Sequence, residues 1–209
     1  MSTIYDTNLE QNPANHQPLS PLPFLERAAS VFPDHIAVIY GDEQLTYAAF
    51  YARCRRFASV LADHGIGRGD TVSVMLANTP TMLEAHYAVP MCGAVLHSMN
   101  TRLDATAIAF QLDHGESKVL IADTGFSETM EAALALASAE PWVIDYEDKV
   151  FPQAGKRLGR ADYQELVDSG DANFDWLMPL NEWDAIALNY TSGTTGDPKG
   201  VVYHHRGAC

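Results

Sequence analysis

The sequence predicts an α/β protein with a parallel sheet and helices on both faces. Between residues 71 and 145, apolar segments typical of strands recur every ~20–25 residues, and helical patterns lie between them. Because crossovers between parallel strands are right-handed, we expect the connecting helices to cover both sides of the sheet. The chain has 209 residues, of which 47 % are apolar, and this supplies enough material for a sizeable core.

Turn and capping residues predict the elements that precede the sheet. Residues 1–20 are polar and rich in Asn, Gln and Pro, which favours an extended or mobile arm. Pro21 opens a short helix, and Gly41 lies between the two strands of a hairpin. Thr46 is placed to cap the next helix, which we expect to end at Gly65. We expect the arginines of that helix on its solvated side: Arg53, Arg55 and Arg56.

The sheet itself is predicted from the alternating part of the chain. The expected strands are residues 71–76, 94–99, 118–122 and 142–145. The expected helices are residues 80–91, 104–114 and 127–138. Thr79 followed by Pro80 is a helix-start signal, and Gly115 is a helix-stop signal. Residues 146–184 contain several glycine breaks, so we interpret them as a surface-exposed bridge with one helix near residues 161–167.

The segment 190–200 reads Tyr-Thr-Ser-Gly-Thr-Thr-Gly-Asp-Pro-Lys-Gly and lies between two short apolar strands. Its glycines allow a ligand to approach the main chain closely, while its hydroxyls, freed amides and one lysine offer donors and positive charge to a polyphosphate. It does not fit the Walker A pattern. The alternative is a solvated loop, which is the usual interpretation of a Ser/Thr/Gly/Pro run.

Charge and cysteine content exclude several classes of partner. The formal charge is −14, and such an acidic surface repels nucleic acid and anionic lipid. The three cysteines have no metal-ligand spacing and fit a reducing compartment, so we expect a cytoplasmic protein. The polar N-terminal residues are not a signal peptide, and no apolar run reaches the ~18 residues that span a bilayer, which predicts a soluble protein.

Thr191-Ser-Gly-Thr-Thr-Gly-Asp-Pro-Lys-Gly200 closely resembles the phosphate-binding loop of the adenylate-forming, or AMP-binding, superfamily. Shorter matches upstream extend the resemblance over roughly residues 21–209, and it is nearest to acyl-CoA ligases for medium-chain or other small carboxylates, including a sulfur-containing propionate. The resemblance implies that residues 21–209 are the N-terminal portion of the large AMP-binding domain, incomplete on its C-terminal side. It implies an enzyme of fatty acid metabolism that uses ATP and Mg²⁺ and takes coenzyme A as co-substrate.

The resemblance also implies the site residues. Those expected to bind the phosphates of ATP are Thr191, Ser192, Gly193, Thr194, Thr195, Gly196 and Lys199. Thr191 and Lys199 are the residues we expect to take part in catalysis, because they can stabilise charge that builds on the phosphates. Asp197 is expected to fix the turn. His204, His205 and Arg206 are interpreted as structural, and we assign no metal ligand.

Three functional hypotheses follow from the resemblance. The first is a carboxylate–CoA ligase that acts through an acyl-adenylate, and the motifs for adenine, ribose, magnesium and the catalytic lysine of the small domain are not found in these residues. We therefore expect the chain alone to be inactive. The second is a truncated, non-catalytic nucleotide- or pyrophosphate-binding module, and the third is an adenylation domain that loads a carrier protein. A cut sheet would expose an edge strand, which predicts self-association or a homodimer.

Overall fold

The computed structural model describes residues 3–5, 7–191 and 198–209. Its helices are α1 (Leu22–Val31), α2 (Tyr47–Asp63), α3 (Pro80–Met91), α4 (Ala105–His114), α5 (Ser127–Leu136), α6 (Tyr163–Ser169) and α7 (His205–Ala208). Its strands are β1 (Ile36–Tyr40), β2 (Glu43–Thr46), β3 (Thr71–Met75), β4 (Val95–Ser98), β5 (Ser117–Asp123), β6 (Trp142–Tyr146), β7 (Ala161–Asp162), β8 (Ala185–Tyr190) and β9 (Gly200–His204).

Helix starts follow the capping residues in the sequence. The side chains of Thr46, Thr79 and Asp104 each accept a hydrogen bond from the backbone amide three residues later, at 3.2, 3.3 and 2.8 Å. These bonds satisfy amides that have no partner inside the first turn of a helix. The predicted starts of α2 and α3 are therefore confirmed.

Within the described residues, strands β3 to β9 form one sheet in the order β7-β6-β5-β3-β4-β8-β9, and β1 and β2 form a separate antiparallel hairpin. Neighbouring strands of the large sheet run parallel, apart from β8 and β9, which are antiparallel. The predicted parallel sheet is confirmed, with one antiparallel strand at its edge.

The sheet separates two apolar cores, because successive side chains of a strand point to opposite faces. Val72 and Val74 of β3 belong to a core built with helices α1, α2, α3 and α6. Met75 of the same strand lies in a second core with Ile108 of α4 and Met130 of α5. The prediction of helices on both faces is confirmed.

A partly buried ion pair joins two helices of the first core, α2 and α3. The guanidinium of Arg53 donates to both carboxylate oxygens of Glu84, at 2.5 and 3.2 Å, and the hydroxyl of Tyr163 donates to the same carboxylate at 2.8 Å. Glu84 is fully buried. Since a buried carboxylate needs partners of this kind, Arg53 links α2 to α3.

The expectation that Arg53, Arg55 and Arg56 lie on a solvated helix side is wrong. Arg55 donates to the backbone oxygen of Phe174, and Arg56 donates to that of Gly170, at 2.9 and 2.7 Å. The physical reason is that the chain after α6 crosses this side of α2 and brings its carbonyl groups to the arginines.

Two further segments differ in detail from the sequence interpretation. The helix expected near residues 161–167 is a two-residue strand, β7, followed by α6. The end of the N-terminal arm is attached to the domain: the amide of Leu19 donates to Glu182 at 3.2 Å, and the hydroxyl of Ser20 lies 3.0 Å from Nδ1 of His205. These two contacts place the start of α1 next to α7.

Candidate nucleotide-phosphate site

The two ends of the glycine-rich loop meet in a closed stem, which we define as Tyr190, Thr191, Lys199 and Gly200. Tyr190 and Gly200 are paired residues of the β8–β9 ladder. One step further, the amide of Thr191 donates to the carbonyl oxygen of Lys199 at 3.1 Å. The side chains of Thr191 and Lys199 are exposed. The structure therefore brings together the two residues that we expected to take part in catalysis.

The remaining predicted loop residues lie outside the described part of the chain. They are Ser192, Gly193, Thr194, Thr195, Gly196 and Asp197. Their predicted roles stay predictions.

The stem lies at the carboxyl ends of the parallel strands. Because β4 and β8 are paired in parallel, the loop leaves the sheet at the same edge as the segments that follow β3 and β4. An open crevice of about 610 Å³ lies at this edge. Its polar lining residues are Asn78, His86, Ser98, Asn100, Thr101 and Asn189.

The crevice lies where the connections after two neighbouring strands leave the sheet on opposite faces. The connection after β3 runs through α3 on one face of the sheet, and the connection after β4 runs through α4 on the other. In open α/β sheets, such a switch between neighbouring strands creates the crevice in which ligands bind. Asn189 joins the crevice to the stem, since it lies two residues before Thr191.

A cluster of aromatic and imidazole side chains packs against Tyr190 of the stem. Nδ1 of His114, the last residue of α4, lies 2.8 Å from the hydroxyl of Tyr190. The ring of Tyr190 also packs near His97 and Phe110, with centroids 5.1 and 6.3 Å apart. Burial raises the pKa of the Tyr190 hydroxyl, so this group is a neutral hydrogen-bonding partner for His114.

His97 forms the buried base of this cluster. Its Nδ1 lies 2.9 Å from the Ser73 hydroxyl, its Nε2 lies 3.2 Å from Oε1 of Gln111, and the Ser73 hydroxyl lies 2.5 Å from that of Ser117. Burial lowers the pKa of His97 to about 4, so the ring is neutral at pH 7. The buried group formed by His97, Ser73, Gln111 and Ser117 is therefore polar but uncharged.

Our sequence interpretation did not include His97 and His114 among the functional residues. His114 lies 76 residues from Tyr190, and a single sequence contains no signal for a pair at that separation. The local signal was the position of His114 at the end of a helix, directly before the stop residue Gly115.

The residues that follow β9 have structural contacts. His204 accepts a hydrogen bond from the Gly207 amide at 2.8 Å, and His205 is buried against Ser20. Arg206 donates to Glu182 at 2.5 Å. Together these residues connect the end of β9 to the N-terminal arm and to the segment before β8.

A mostly parallel α/β sheet with a phosphate-type loop at its carboxyl edge is typical of nucleotide-binding proteins. The chain belongs to the AMP-binding enzyme family, whose sequence profile matches residues 25–209. This confirms the resemblance to adenylate-forming enzymes that the loop sequence indicated.

Similar relatives are acyl-CoA ligases. The chain is 45 % identical to the peroxisomal acetate/butyrate–CoA ligase AAE7 of Arabidopsis thaliana and 42 % identical to the acetate–CoA ligase CCL3 of Humulus lupulus. Each alignment covers 96 % of this chain and 37 % of the relative. The chain therefore spans little more than a third of the length of these relatives.

Solved structures of CoA ligases have the same fold. The anthranilate–CoA ligase AuaEII, solved in complex with anthranoyl-AMP, superimposes with a TM-score of 0.82 at 19 % identity. The match covers 94 % of this chain and 37 % of that one. At this level of identity the similarity establishes the fold.

The prediction of a cytoplasmic protein is wrong. The names of several similar relatives, AAE7 among them, place those proteins in the peroxisome. The physical reason is that composition and reduced cysteines do not distinguish these compartments, because a peroxisomal address is a short signal read by a receptor. None of the helices described for residues 3–5, 7–191 and 198–209 combines the length and apolar character needed to cross a bilayer.

Proposed function

We propose that the natural protein containing this chain is an ATP-dependent carboxylate–CoA ligase that acts through an acyl-adenylate. The chain supplies the N-terminal part of the AMP-binding domain, with the ATP phosphate loop. The observation that carries this proposal is the closed stem at the carboxyl edge of the sheet, where Thr191 and Lys199 flank the loop. Membership of the AMP-binding enzyme family supports it.

The proposed reaction has two steps. In the first, a carboxylate oxygen attacks the α-phosphorus of ATP, the bond between the α-phosphorus and the bridging oxygen breaks, and pyrophosphate leaves. In the second, the thiol of coenzyme A loses its proton and attacks the acyl carbon, and AMP leaves. Negative charge builds on the phosphates in the first step, and donors already in place stabilise it most effectively.

Thr191 and Lys199 have matched roles in this proposal. The ammonium of Lys199 neutralises charge on the phosphates, and the hydroxyl of Thr191 donates a hydrogen bond to them. Ser192, Gly193, Thr194, Thr195 and Gly196 complete the phosphate-binding set. Both described side chains are exposed, which leaves them accessible to a nucleotide.

Magnesium fits this site as a companion of ATP. Among the described residues, no group of three or more His, Cys, Asp or Glu side chains is arranged to hold a metal ion. Mg²⁺ is usually held by substrate phosphates with one or two carboxylates, and it supplies charge neutralisation there. We propose that Mg²⁺ binds together with the phosphates of ATP, and that Lys199 contributes positive charge from this chain.

We propose a fatty or other small carboxylic acid as the substrate. The support comes from relatives that are named for acetate, butyrate and 2-methylpropanoate. Because the chain spans 37 % of the acetate/butyrate ligase, activity is assigned to the natural protein as a whole.

A panel assay tests the proposed function. The natural protein is incubated with ATP, Mg²⁺ and one acid at a time, with coenzyme A or with a carrier protein, and AMP and thioester are measured. We expect AMP and acyl-CoA in equal amounts with a small aliphatic acid. AMP released only with the carrier would indicate a carrier-loading domain, and nucleotide binding without AMP would indicate a binding module.

We further propose that this 209-residue chain, taken by itself, self-associates through β9. Within the described residues β9 pairs only with β8, and its Val202 side chain is 61 % exposed. An unpaired, apolar edge strand is a surface on which another strand can add. Sedimentation of the 209-residue chain is expected to show a dimer that Val202→Lys disrupts, and a wild-type monomer would contradict the proposal.

A further inference from the structure

We propose that His114 is a positioning residue for the phosphate loop. It contacts Tyr190 at one end of the stem and lies beside Gly200 at the other, and in this way it holds Thr191 and Lys199 at their observed separation. This inference rests on the proposed function, because the stem matters for activity only if the loop binds ATP.

The first contact is with the N-terminal end of the stem. Nδ1 of His114 and the hydroxyl of Tyr190 are 2.8 Å apart, and the two rings meet edge to face with centroids 5.7 Å apart. Thr191 is the next residue in the chain, so the direction in which it leaves the sheet depends on where the Tyr190 ring is held.

The same side chain lies beside the C-terminal end of the stem. A Cβ placed on Gly200 would lie 3.7 Å from Cε1 of His114, 3.6 Å from Cε1 of Tyr190 and 3.2 Å from Cδ1 of Leu188. The imidazole of His114 is therefore within reach of a side chain placed at Gly200, and the two residues line the same cavity. Gly200 follows Lys199 directly and pairs with Tyr190. The side chain of His114 therefore lies next to both ends of the loop.

The helix that carries His114 is capped at its start and packed into the second core. Asp104 caps the start of α4 through the Ala107 amide, and Ile108 and Leu112 are fully buried in the second core. The buried residues of α4 fix the backbone position of His114 at the end of the helix. His114 thus connects the stem at the sheet edge to a helix whose position is fixed by the core.

Amide exchange tests this positioning role without any ligand. Hydrogen–deuterium exchange at the Thr191 amide is measured in the natural protein and in Tyr190→Phe, His114→Ala and the double variant. Each single variant is expected to accelerate exchange about fivefold, the effect of one net hydrogen bond, and the double variant by no more than either. The matched control is Tyr203→Phe, an exposed tyrosine of β9, for which no change is expected.

Three results would overturn the inference. Unchanged exchange at Thr191 in the single variants would show that the contact does not hold the stem. An acceleration in the double variant equal to the product of the two single-variant accelerations would show that His114 and Tyr190 act independently. Acceleration spread equally over α4 and β5 would show general destabilisation.

Kinetics separate positioning from a purely structural role. In the ligase assay, Tyr190→Phe is expected to raise the KM for ATP about fivefold and to leave the KM for coenzyme A unchanged. A fall in kcat with an unchanged KM for ATP would contradict positioning of the phosphates. If the wild-type protein shows no ATP-dependent chemistry, the proposed function fails, and the exchange experiment alone then decides the role of His114.

Discussion

The Thr191 amide and the Lys199 carbonyl are joined by a 3.1 Å hydrogen bond, which closes the stem on the loop side of the β8–β9 ladder. This bond places a hydroxyl side chain and an ammonium side chain on either side of one short loop. Both are exposed, and both lie at the carboxyl edge of a parallel sheet. Under the proposed function, we expect a polyphosphate bound there to meet donors on each side of the loop.

We predict that Lys199→Ala weakens ATP binding by about tenfold or more, because a charge-assisted contact to phosphate is lost. Calorimetric titration of ATP into the protein measures the change. Lys156→Ala is the matched control, since Lys156 forms an exposed ion pair with Glu131 at 2.7 Å. Equal affinity in Lys199→Ala and Lys156→Ala would remove Lys199 from the site.

We predict that Arg53→Ala lowers the free energy of unfolding by about 3 kcal/mol, because it leaves the buried carboxylate of Glu84 without its charged partner. Arg157→Ala, which breaks the more exposed pair with Asp162, is expected to cost less than about 1 kcal/mol. Urea unfolding monitored by fluorescence gives both values. Similar losses in the two variants would contradict the structural importance of the Arg53–Glu84 pair.

His97 predicts a specific dependence of stability on pH. Its pKa is lowered by burial to about 4 in the folded protein, against an ordinary value of 6.5. Between these values the unfolded chain binds the proton and the folded one does not. Stability is therefore fully present above about pH 6.5 and falls as the pH drops toward 4.

The measurement is the free energy of unfolding as a function of pH for three proteins. His97→Gln is expected to reduce the slope between pH 4 and 6.5 by up to ~1.4 kcal/mol per pH unit, which corresponds to one proton. His86→Asn is the control, because His86 is exposed and, among the described residues, its ring is hydrogen-bonded within its own helix, to the Met82 carbonyl. A slope in His97→Gln equal to that of the wild type would contradict the assignment.

The thiols should differ sharply in reactivity. Cys54 and Cys92 are buried, and burial raises the pKa of Cys92 to about 11 and that of Cys54 well above its ordinary value. Cys209 is exposed. A colorimetric thiol reagent is expected to modify one cysteine in the folded protein and all three in denaturant. Rapid modification of more than one in the folded protein would contradict the burial of Cys54 and Cys92.

Local signals in the sequence were sufficient for much of the fold. Thr46 and Thr79 marked helix starts because a cap requires only the next three residues. The alternation of strands and helices from residue 71 predicted a parallel sheet covered on both faces, which the structure confirms. The loop sequence itself led to the family.

Contacts between distant residues could not be predicted in this way. Arg53 was placed in solvent because polar helix residues usually face water, and its partner Glu84 lies 31 residues away. The strand β7 has two residues and exists only through its pairing with β6. The contact between His114 and Tyr190 depends on the packing of α4 against the sheet, which no local pattern contains.

The most direct test of the central claim is ATP–pyrophosphate exchange in the natural protein. Radiolabelled pyrophosphate is supplied with ATP, Mg²⁺ and a panel of small carboxylic acids, and the label that enters ATP is counted for the wild type, Lys199→Ala and Lys156→Ala. The account predicts exchange that requires one of the acids, persists in Lys156→Ala and falls at least about a hundredfold in Lys199→Ala. No exchange with any acid, or exchange that is the same in Lys199→Ala, would contradict it.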